Sequence, residues 1–273
     1  MKKVICIGVL IMMALTLTTA QADFYVVGAP GRVGTQITSL PYTISSAGFY
    51  YLAKDLSVTG GGITVEADNV TIDLMGFCIT GAGVGTAGHG IELAGTRANV
   101  EIRNGSITNF GGAGVYAPST SNNIRVLGLR VNNSAYGINL NGKNDSVLNC
   151  SVFANAQTGI HVKNGSLVKG NHVYNNGGNG IGTDWCNMVI NNVVQDNYHG
   201  IVVSSGSSVM DNMVYSNSHY GIYGFSYNNI ARNTVVGSGD EGINVGNYCT
   251  IIGNGTDVLV NGTNCTVVNN TVY

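Results

Sequence analysis

Short apolar stretches separated by clusters of glycine, asparagine and serine recur along most of the chain. In the segment 159–176, Ile160 and Val162 alternate with polar residues, and single valines follow at Val168 and Val173. Alternation over three to five residues predicts a short β-strand, and the polar clusters predict turns. No unit contains the ten or more residues of helical spacing that an amphipathic helix needs. The pattern therefore predicts an all-β chain with three short strands in each unit.

A glycine followed by isoleucine or valine begins each unit and recurs with a period of roughly 20–24 residues, which is typical of a solenoid. The pairs are Gly90-Ile91, Gly114-Val115, Gly137-Ile138, Gly159-Ile160, Gly180-Ile181, Gly200-Ile201, Gly221-Ile222 and Gly242-Ile243. In a solenoid each unit buries its apolar face against its neighbours. Leucine-rich, ankyrin and tetratricopeptide repeats are excluded, because each carries a helix or a fixed Leu/Asn frame. We predict that the isoleucines and valines of these pairs form one buried stack.

A column of asparagines supports the same register, because each lies three residues after an apolar residue. The column comprises Asn171, Asn192, Asn212, Asn233, Asn254 and Asn270, with Cys150 in the same position one unit earlier. Stacked amides can donate hydrogen bonds to one another along the axis, which satisfies polar groups at a buried bend. We interpret this column as structural, since a ligand site does not need the same residue in every unit.

The Gly-Ile-x-Val units and the asparagine column, together with an opening segment that includes Asn69-Val70-Thr71-Ile72-Asp73-Leu74, point to a known family. From residue 36 to 273 the chain resembles right-handed parallel β-helix proteins of the pectate-lyase-like superfamily. It is similar to the short-repeat secreted proteins described as carbohydrate-binding and sugar-hydrolysing domains. The resemblance implies a right-handed parallel β-helix of nine or ten three-strand coils with an N-terminal cap. It does not fix the activity, because the fold hosts lyases, hydrolases, epimerases, esterases and plain binding proteins.

The N-terminus predicts export. Lys2 and Lys3 precede an apolar run over residues 4–17, and Ala20-Gln21-Ala22 resembles a signal-peptide cleavage site. The run is too short for a membrane span and no second one follows. We therefore expect a bacterial-type signal peptide (1–22), an aromatic-rich cap segment (23–60) and the parallel β-helix (61–273). The mature protein is expected in the periplasm, at the cell surface or in the medium, with no membrane span.

Composition excludes some partners. With 12 basic and 14 acidic residues, a net charge of −2 and only 10% charged residues, the chain has no polybasic patch for nucleic acid. No cysteine spacing resembles a zinc site, and the sequence predicts no metal and no cofactor. Cys249 and Cys265 each lie two residues before an apolar residue, so stacked coils would place their α-carbons about 5 Å apart. Both a disulfide and a pair of buried thiols fit that spacing.

The C-terminal coil stops in mid-unit, and an unpaired parallel edge needs cover. The sequence leaves three occupants open: a second copy through self-association, Tyr273 folding over the edge, or a further part of the protein.

The candidate chemistry lies beside the Gly-Ile strand of the C-terminal units. At the two positions before the repeat glycine, consecutive units carry Tyr198-His199, His219-Tyr220 and Asp240-Glu241, each one repeat period after the last. The outward strand position adds Tyr223 and Asn244, and the turn after it adds Asp184, Trp185 and Phe225. Coils stacked at about 5 Å would bring most of these side chains into one patch. Aromatic rings can cover the apolar face of a sugar while imidazoles and carboxylates perform acid–base work.

If the protein is an enzyme, we expect a polysaccharide lyase, glycoside hydrolase or epimerase. The expected catalytic residues are His199, His219, Asp240 and Glu241, and the expected substrate-binding residues are Asp184, Trp185, Tyr198, Tyr220, Tyr223 and Asn244. No known catalytic set of the superfamily is present, since only Gly88-His89-Gly90 matches the polygalacturonase pattern and the acids are missing. Two function classes stay open. One is an exported protein that binds or processes a polysaccharide on the face of residues 184–241, and the other is a structural or adhesive surface protein that uses the β-helix as a rod.

Overall fold

A computed structural model describes residues 34–256 and 258–271. Within these residues there are strands and no helix, and accordingly no helix that is long and apolar enough to cross a membrane. The strands are β1 (Thr35–Ile37), β2 (Tyr42–Ile44), β3 (Gly48–Leu52), β4 (Leu56–Ser57), β5 (Ile63–Val65), β6 (Val70–Asp73), β7 (Cys78–Thr80), β8 (Ile91–Leu93), β9 (Ala98–Thr108), β10 (Ala113–Ala117), β11 (Asn122–Asn132), β12 (Tyr136–Leu140), β13 (Ser146–Leu148), β14 (Ser151–Phe153), β15 (Ile160–Val162), β16 (Leu167–Lys169), β17 (His172–Tyr174), β18 (Asn179–Thr183), β19 (Met188–Ile190), β20 (Val193–Gln195), β21 (His199–Val203), β22 (Ser208–Met210), β23 (Met213–Tyr215), β24 (Ile222–Gly224), β25 (Asn229–Ala231), β26 (Thr234–Val236), β27 (Ile243–Val245), β28 (Thr250–Ile252), β29 (Val258–Val260) and β30 (Thr266–Val268).

The strands form two parallel sheets. The front sheet takes one strand from each coil, in the order β2-β5-β8-β10-β12-β15-β18-β21-β24-β27-β29. The remaining strands form the back sheet, which takes two strands from most coils. Each strand pairs in parallel with the equivalent strand one coil away, so that Ile201 lies opposite Ile222 and Ile222 lies opposite Ile243. This confirms the predicted all-β parallel β-helix, with about ten turns.

The repeated Gly-Ile pair builds the core beneath the front sheet. The predicted stack is completely buried. Its members are Ile91, Val115, Ile138, Ile160, Ile181, Ile201, Ile222 and Ile243. The preceding glycine is required because coils approach closely there. A Cβ atom added to Gly180 would lie 2.7 Å from Nδ2 of Asn197 and 2.9 Å from the carbonyl oxygen of Gly200. The glycine repeat thus reflects a lack of space at the start of each coil.

The predicted asparagine column is a buried hydrogen-bond ladder. Nδ2 of Asn171 donates to Oδ1 of Asn192 at 2.9 Å, and Nδ2 of Asn192 donates to Oδ1 of Asn212 at 3.0 Å. The ladder continues through Asn233 and Asn254, whose side chains are also buried. Each oxygen also accepts the backbone N–H of the asparagine one coil earlier. The structural interpretation of this column is confirmed.

Two further buried columns flank the back sheet, and the sequence analysis did not predict them. One consists of Asn155, Asn176, Asn197 and Asn217, whose amides are linked at 2.9, 2.9 and 3.2 Å. The other mixes residue types, with Asp145, Ser166, Asn187, Ser207 and Asn228 followed by Cys249 and Cys265. Together the three columns satisfy backbone N–H groups at the bends of successive coils.

Cys249 and Cys265 end the mixed column as free thiols on adjacent coils. The backbone nitrogen of Cys249 lies 3.3 Å from Sγ of Cys265, and burial raises the pKa of the Cys249 thiol. The predicted proximity is therefore present, with the cysteines in the thiol form.

The two ends of the described region bear on other predictions. Strands β1 to β4 fall in the expected cap segment and pair in parallel with β3, β5, β6 and β7. The predicted signal peptide and the first part of the cap segment lie outside the described residues, and the boundary near residue 60 stays a prediction.

At the other end, Val267 of β30 lies opposite the buried Ile251 but is 46% exposed. Self-association through this coil also stays a prediction.

Asp145 in the mixed column gives the fold a pH-dependent stability. Its side chain is buried, Oδ1 accepts the backbone N–H of Ile124 at 2.8 Å, and Oδ2 has no hydrogen-bond partner in the described part of the chain. Burial raises the pKa of Asp145 to about 6, above its ordinary 3.8. A carboxyl group whose pKa is raised by folding stabilises the folded state at a pH below its ordinary pKa. This contribution is lost as the pH rises through the pKa of the folded state.

We therefore expect Asp145→Asn to change the free energy of unfolding differently at the two pH limits. As the pH rises from 4 to 7.5, the free energy of unfolding of the variant should increase by up to about 3 kcal/mol relative to that of the native protein. The reason is that only the native protein must ionise a buried carboxyl. Urea titrations of both proteins across this range measure the difference. Asp196→Asn, which changes an exposed acid, is the control. A constant difference between Asp145→Asn and the native protein would contradict the account.

Candidate functional site

Six of the predicted site residues lie at the edge of the front sheet where β21, β24 and β27 begin. The pairing of β21, β24 and β27 places Tyr198, His219 and Asp240 in one column along the axis. It places His199, Tyr220 and Glu241 in the neighbouring column. Both columns lie in the turn before the strand, except that His199 is already the first residue of β21. We name the aromatic ridge as the set of six rings from Tyr198, His199, His219, Tyr220, Tyr223 and Phe225.

The rings of the aromatic ridge come from two consecutive coils and form a continuous row. His199 and Tyr220 stack with centroids 5.4 Å apart and planes 5° apart. Tyr220 and Tyr223 follow at 5.2 Å and 22°, and Tyr223 meets Phe225 edge-on at 5.2 Å. Offset and edge-on arrangements at these distances are favourable between aromatic rings. The row leaves its outer side open, since Phe225 is 51% exposed.

Tyr198 joins the row at its other end. Its ring centroid lies 4.6 Å from that of His199 and 4.3 Å from that of His219, and the two imidazoles are 5.4 Å apart. Tyr198 is 45% exposed. The sequence prediction that these three residues meet in consecutive coils agrees with this geometry.

His219 and Asp240 form the closest ionisable pair of the site. Nδ1 of His219 lies 2.7 Å from Oδ2 of Asp240, and both side chains are about two-fifths exposed, at 39% and 43%. With Nδ1–H donating to the carboxylate, Nε2 of His219 is left as an acceptor that faces away from its partner. A carboxylate that fixes the imidazole in this way produces the orientation required of a general base.

His199 differs from His219 in its bonding. Its Nδ1 lies 3.4 Å from the backbone nitrogen of Tyr220 and accepts a hydrogen bond from it. Burial lowers the pKa of His199, the nearby His219 lowers it further, and Asp240 acts in the opposite direction. His199 is therefore neutral at pH 7. Burial and the carboxylates of Glu241 and Asp240 raise the pKa of Tyr220, so its phenol stays protonated.

The structure does not bring every predicted residue into this group. Asp184 lies beside Lys163, with Oδ2 3.8 Å from Nζ. Trp185 is 61% exposed, and no ring-to-ring contact joins it to the aromatic ridge in the part of the chain that the structure describes. Asn244 lies opposite Tyr223 as expected, but it is only 3% exposed because Nδ2 of Asn261 donates to its Oδ1 at 2.9 Å. Its role in binding stays a prediction.

One residue of the same face was missed by the sequence analysis. His161 on β15 occupies the outward column that continues through Gly182 and Val202 to Tyr223. Burial lowers the pKa of His161, although Asp184 partly opposes this. The signal was available, since His161 follows Ile160 at the strand position that Tyr223 occupies after Ile222. With His89, which stacks on Tyr116 at 4.4 Å, four of the five histidines lie along the front sheet.

Comparison with known proteins places the chain in a family. Residues 58–247, which include the whole aromatic ridge and its two acids, match the family described as NosD, periplasmic copper-binding protein. The chain belongs to the NosD family. A search of curated proteins finds no match.

Solved structures similar to this NosD-family chain are parallel β-helix proteins. The A-module of the Azotobacter vinelandii mannuronan C-5 epimerase AlgE6 matches with a TM-score of 0.65 and 14% identity, over 82% of this chain and 79% of that chain. The Dettilon tailspike protein matches with a TM-score of 0.58 and 15% identity, over 83% of this chain and 60% of that chain. A double mutant of the periplasmic alginate epimerase AlgG matches with a TM-score of 0.57 and 13% identity, over 82% of this chain and 73% of that chain. At these identities the likeness concerns the fold alone.

The family description names copper, so we tested whether the side chains fit that metal. Copper(II) favours three or four nitrogen and oxygen ligands in a near-planar arrangement, and copper(I) favours sulfur. Over residues 34–256 and 258–271, no three His, Cys, Asp or Glu side chains are grouped so that they could hold a metal ion. Of the closest imidazoles, His199 and His219, each already has Nδ1 engaged. The described residues thus offer no group of three His, Cys, Asp or Glu side chains for a copper ion.

Proposed function

We propose that the protein is exported and binds a polysaccharide along the front sheet, on the aromatic ridge with Asp240 and Glu241. The observation that carries the proposal is the continuous row of rings from two consecutive coils, beside the two acids of a third. The row steps from His199 to Tyr220 on the next coil and then follows β24 across the front sheet to Phe225, and this extended surface suits a polymer better than a compact ligand.

The side chains of the row have the chemistry that sugars require. The exposed rings of Tyr198 and Phe225 offer flat apolar surface for the C–H face of a sugar. The phenols of Tyr220 and Tyr223 add hydroxyl groups that both donate and accept hydrogen bonds. Because the rings already pack against one another, little side-chain entropy is lost when a ligand binds.

Two comparisons support the proposal without assigning a substrate. The family is described as periplasmic, which agrees with the predicted signal peptide and with export. The epimerases named above carry this fold and are named for mannuronan and alginate, although the fold is the only property that they share with this chain.

If the aromatic ridge carries a reaction, His219 is the residue we assign to proton transfer. Asp240 would hold its Nδ1 and leave Nε2 to accept a proton from a bound sugar. His199, which is neutral at pH 7, would contact the substrate beside it, and Glu241 would serve as the second carboxylate.

The test is a panel of neutral, amino-bearing and uronate polysaccharides incubated with the mature protein. Retention is measured by affinity electrophoresis, while ultraviolet absorbance and reducing ends report lysis and hydrolysis. Retention of at least one glycan is expected. Products would make the protein an enzyme, and retention without products would make it a binder. No retention and no products would overturn the proposal in favour of the rod.

Replacing Tyr220 with alanine should weaken binding of the retained glycan several-fold. A stacked ring contributes on the order of 1 kcal/mol beyond the area it buries, which is about fivefold in affinity. His89→Ala is the matched control, because it removes a stacked ring from the N-terminal half of the same sheet. Calorimetric titration measures both variants. An equal loss in both would show that the aromatic ridge is not the contact surface.

A further inference from the structure

The C-terminal coils of the chain, over residues 170–273, are acidic. Residues 170–273 contain six acidic residues and a single arginine, a formal charge of −5, although the whole chain carries only −2. Charge of one sign on one region attracts ligands of the opposite sign and repels like-charged polymers. The C-terminal coils, which carry the aromatic ridge, therefore favour a cationic ligand.

The basic residues nearest to the aromatic ridge are already engaged. Lys163 lies beside Asp184, and Arg232 pairs with Asp211 through two contacts of 2.7 and 2.8 Å. Arg232 also lies between β25 and β26 of the back sheet, away from the ridge. Residues 198–225, which contain the rings, include no lysine or arginine that could bind a uronate carboxylate.

The two acids of the site lie directly beside the rings. Glu241 lies opposite Tyr220, and its carboxylate has no hydrogen-bond or ion-pair partner within the residues described. Asp240 uses Oδ2 for His219 and is exposed. Aromatic faces attract ammonium groups, and adjacent carboxylates strengthen that attraction. Rings and adjacent carboxylates, of which that of Glu241 is unpaired, are thus the two elements of a binding site for an amine.

We propose that the aromatic ridge recognises a polysaccharide with free amino groups, whose ammonium ions lie against the tyrosine rings and the carboxylates of Asp240 and Glu241. This inference rests on the proposed function and names its ligand class. It also separates this chain from the structural neighbours whose names specify mannuronan and alginate, since a polyuronate would meet two carboxylates and no cation.

The experiment compares three probes on the full mature protein. They are β-1,4-glucosamine oligomers at a pH where the amines are protonated, the same oligomers fully N-acetylated, and mannuronate oligomers of equal length. Calorimetry at low and high salt is expected to show at least tenfold tighter binding of the amine form and no binding of mannuronate. The advantage of the amine form should shrink at high salt, because exposed charges are screened.

Two variants assign the effect to the site. The double variant Asp240→Asn/Glu241→Gln should bind the amine form and the N-acetylated form with similar affinity, so that most of the preference for the amine form is lost. Asp196→Asn, which removes an exposed acid elsewhere in the C-terminal coils, should keep the preference. Equal binding of the two glucosamine forms, or tightest binding of mannuronate, would overturn this inference and leave the proposed function standing. If these probes and every glycan of the panel fail to bind, both are wrong.

Discussion

Replacing Asn212 with leucine is expected to lower the free energy of unfolding by about 3 kcal/mol or more, because it leaves several buried groups unsatisfied. Oδ1 of Asn212 accepts from both Nδ2 and the backbone N–H of Asn192, at 3.0 and 2.9 Å. Its Nδ2 donates to Oδ1 of Asn233 and to the carbonyl oxygen of Val189, at 2.9 and 3.0 Å. Nδ2 also donates to the carbonyl oxygen of Met210 at 3.0 Å, so leucine removes five bonds within a buried ladder, and each buried group left unsatisfied costs about 1–3 kcal/mol.

The matched control is Asn229→Leu, one coil later in β25, where the side chain is exposed on the outer side of the back sheet. An exposed substitution of this kind changes stability by less than about 0.5 kcal/mol. Urea denaturation followed by far-ultraviolet circular dichroism compares the two variants with the native protein. Similar losses in both would mean that the asparagine ladder does not stabilise the fold.

Most of the fold could be predicted because a solenoid repeats its constraints. Each coil needs a residue without a side chain where the next coil crosses closely, and so the glycine at positions such as Gly180 recurs with the period. The column of Asn176, Asn197 and Asn217 could have been found in the same way, since each follows a member of the predicted ladder at the same short distance in the sequence. The mixed column could not, because serine, aspartate and cysteine replace asparagine at bends of the same kind.

The candidate site was predictable to the extent that it depends on register. Tyr198, His219 and Asp240 are equally spaced in the sequence, and this spacing places them in one column, as the structure has them. The burial of Asn244 was not predictable by that rule. The next coil is shorter, because Val258 follows its partner Ile243 sooner than Ile243 follows Ile222, and this brings Asn261 against Asn244. Side-chain orientation, such as that of His219, also depends on rotamers that a period does not specify.

The second large effect is expected at the aromatic ridge. A variant that combines His199→Ala, Tyr220→Ala and Glu241→Gln should bind the retained glycan about a hundredfold more weakly, because three contacts of roughly 1 kcal/mol each are removed. The melting temperature should change little, since all three side chains lie outside the core. The matched control is His172→Ala, Tyr174→Ala and Asp196→Asn, which alters the same kinds of side chain on the other sheet.

The most direct test of the account is a calorimetric titration of the native protein and these two triple variants with the same retained glycan. The account predicts that the native protein and the control variant bind with equal affinity, while the variant at His199, Tyr220 and Glu241 loses about a hundredfold with an unchanged melting temperature. Native affinity in that variant, or equal loss in the control, would contradict the assignment of the aromatic ridge as the binding surface.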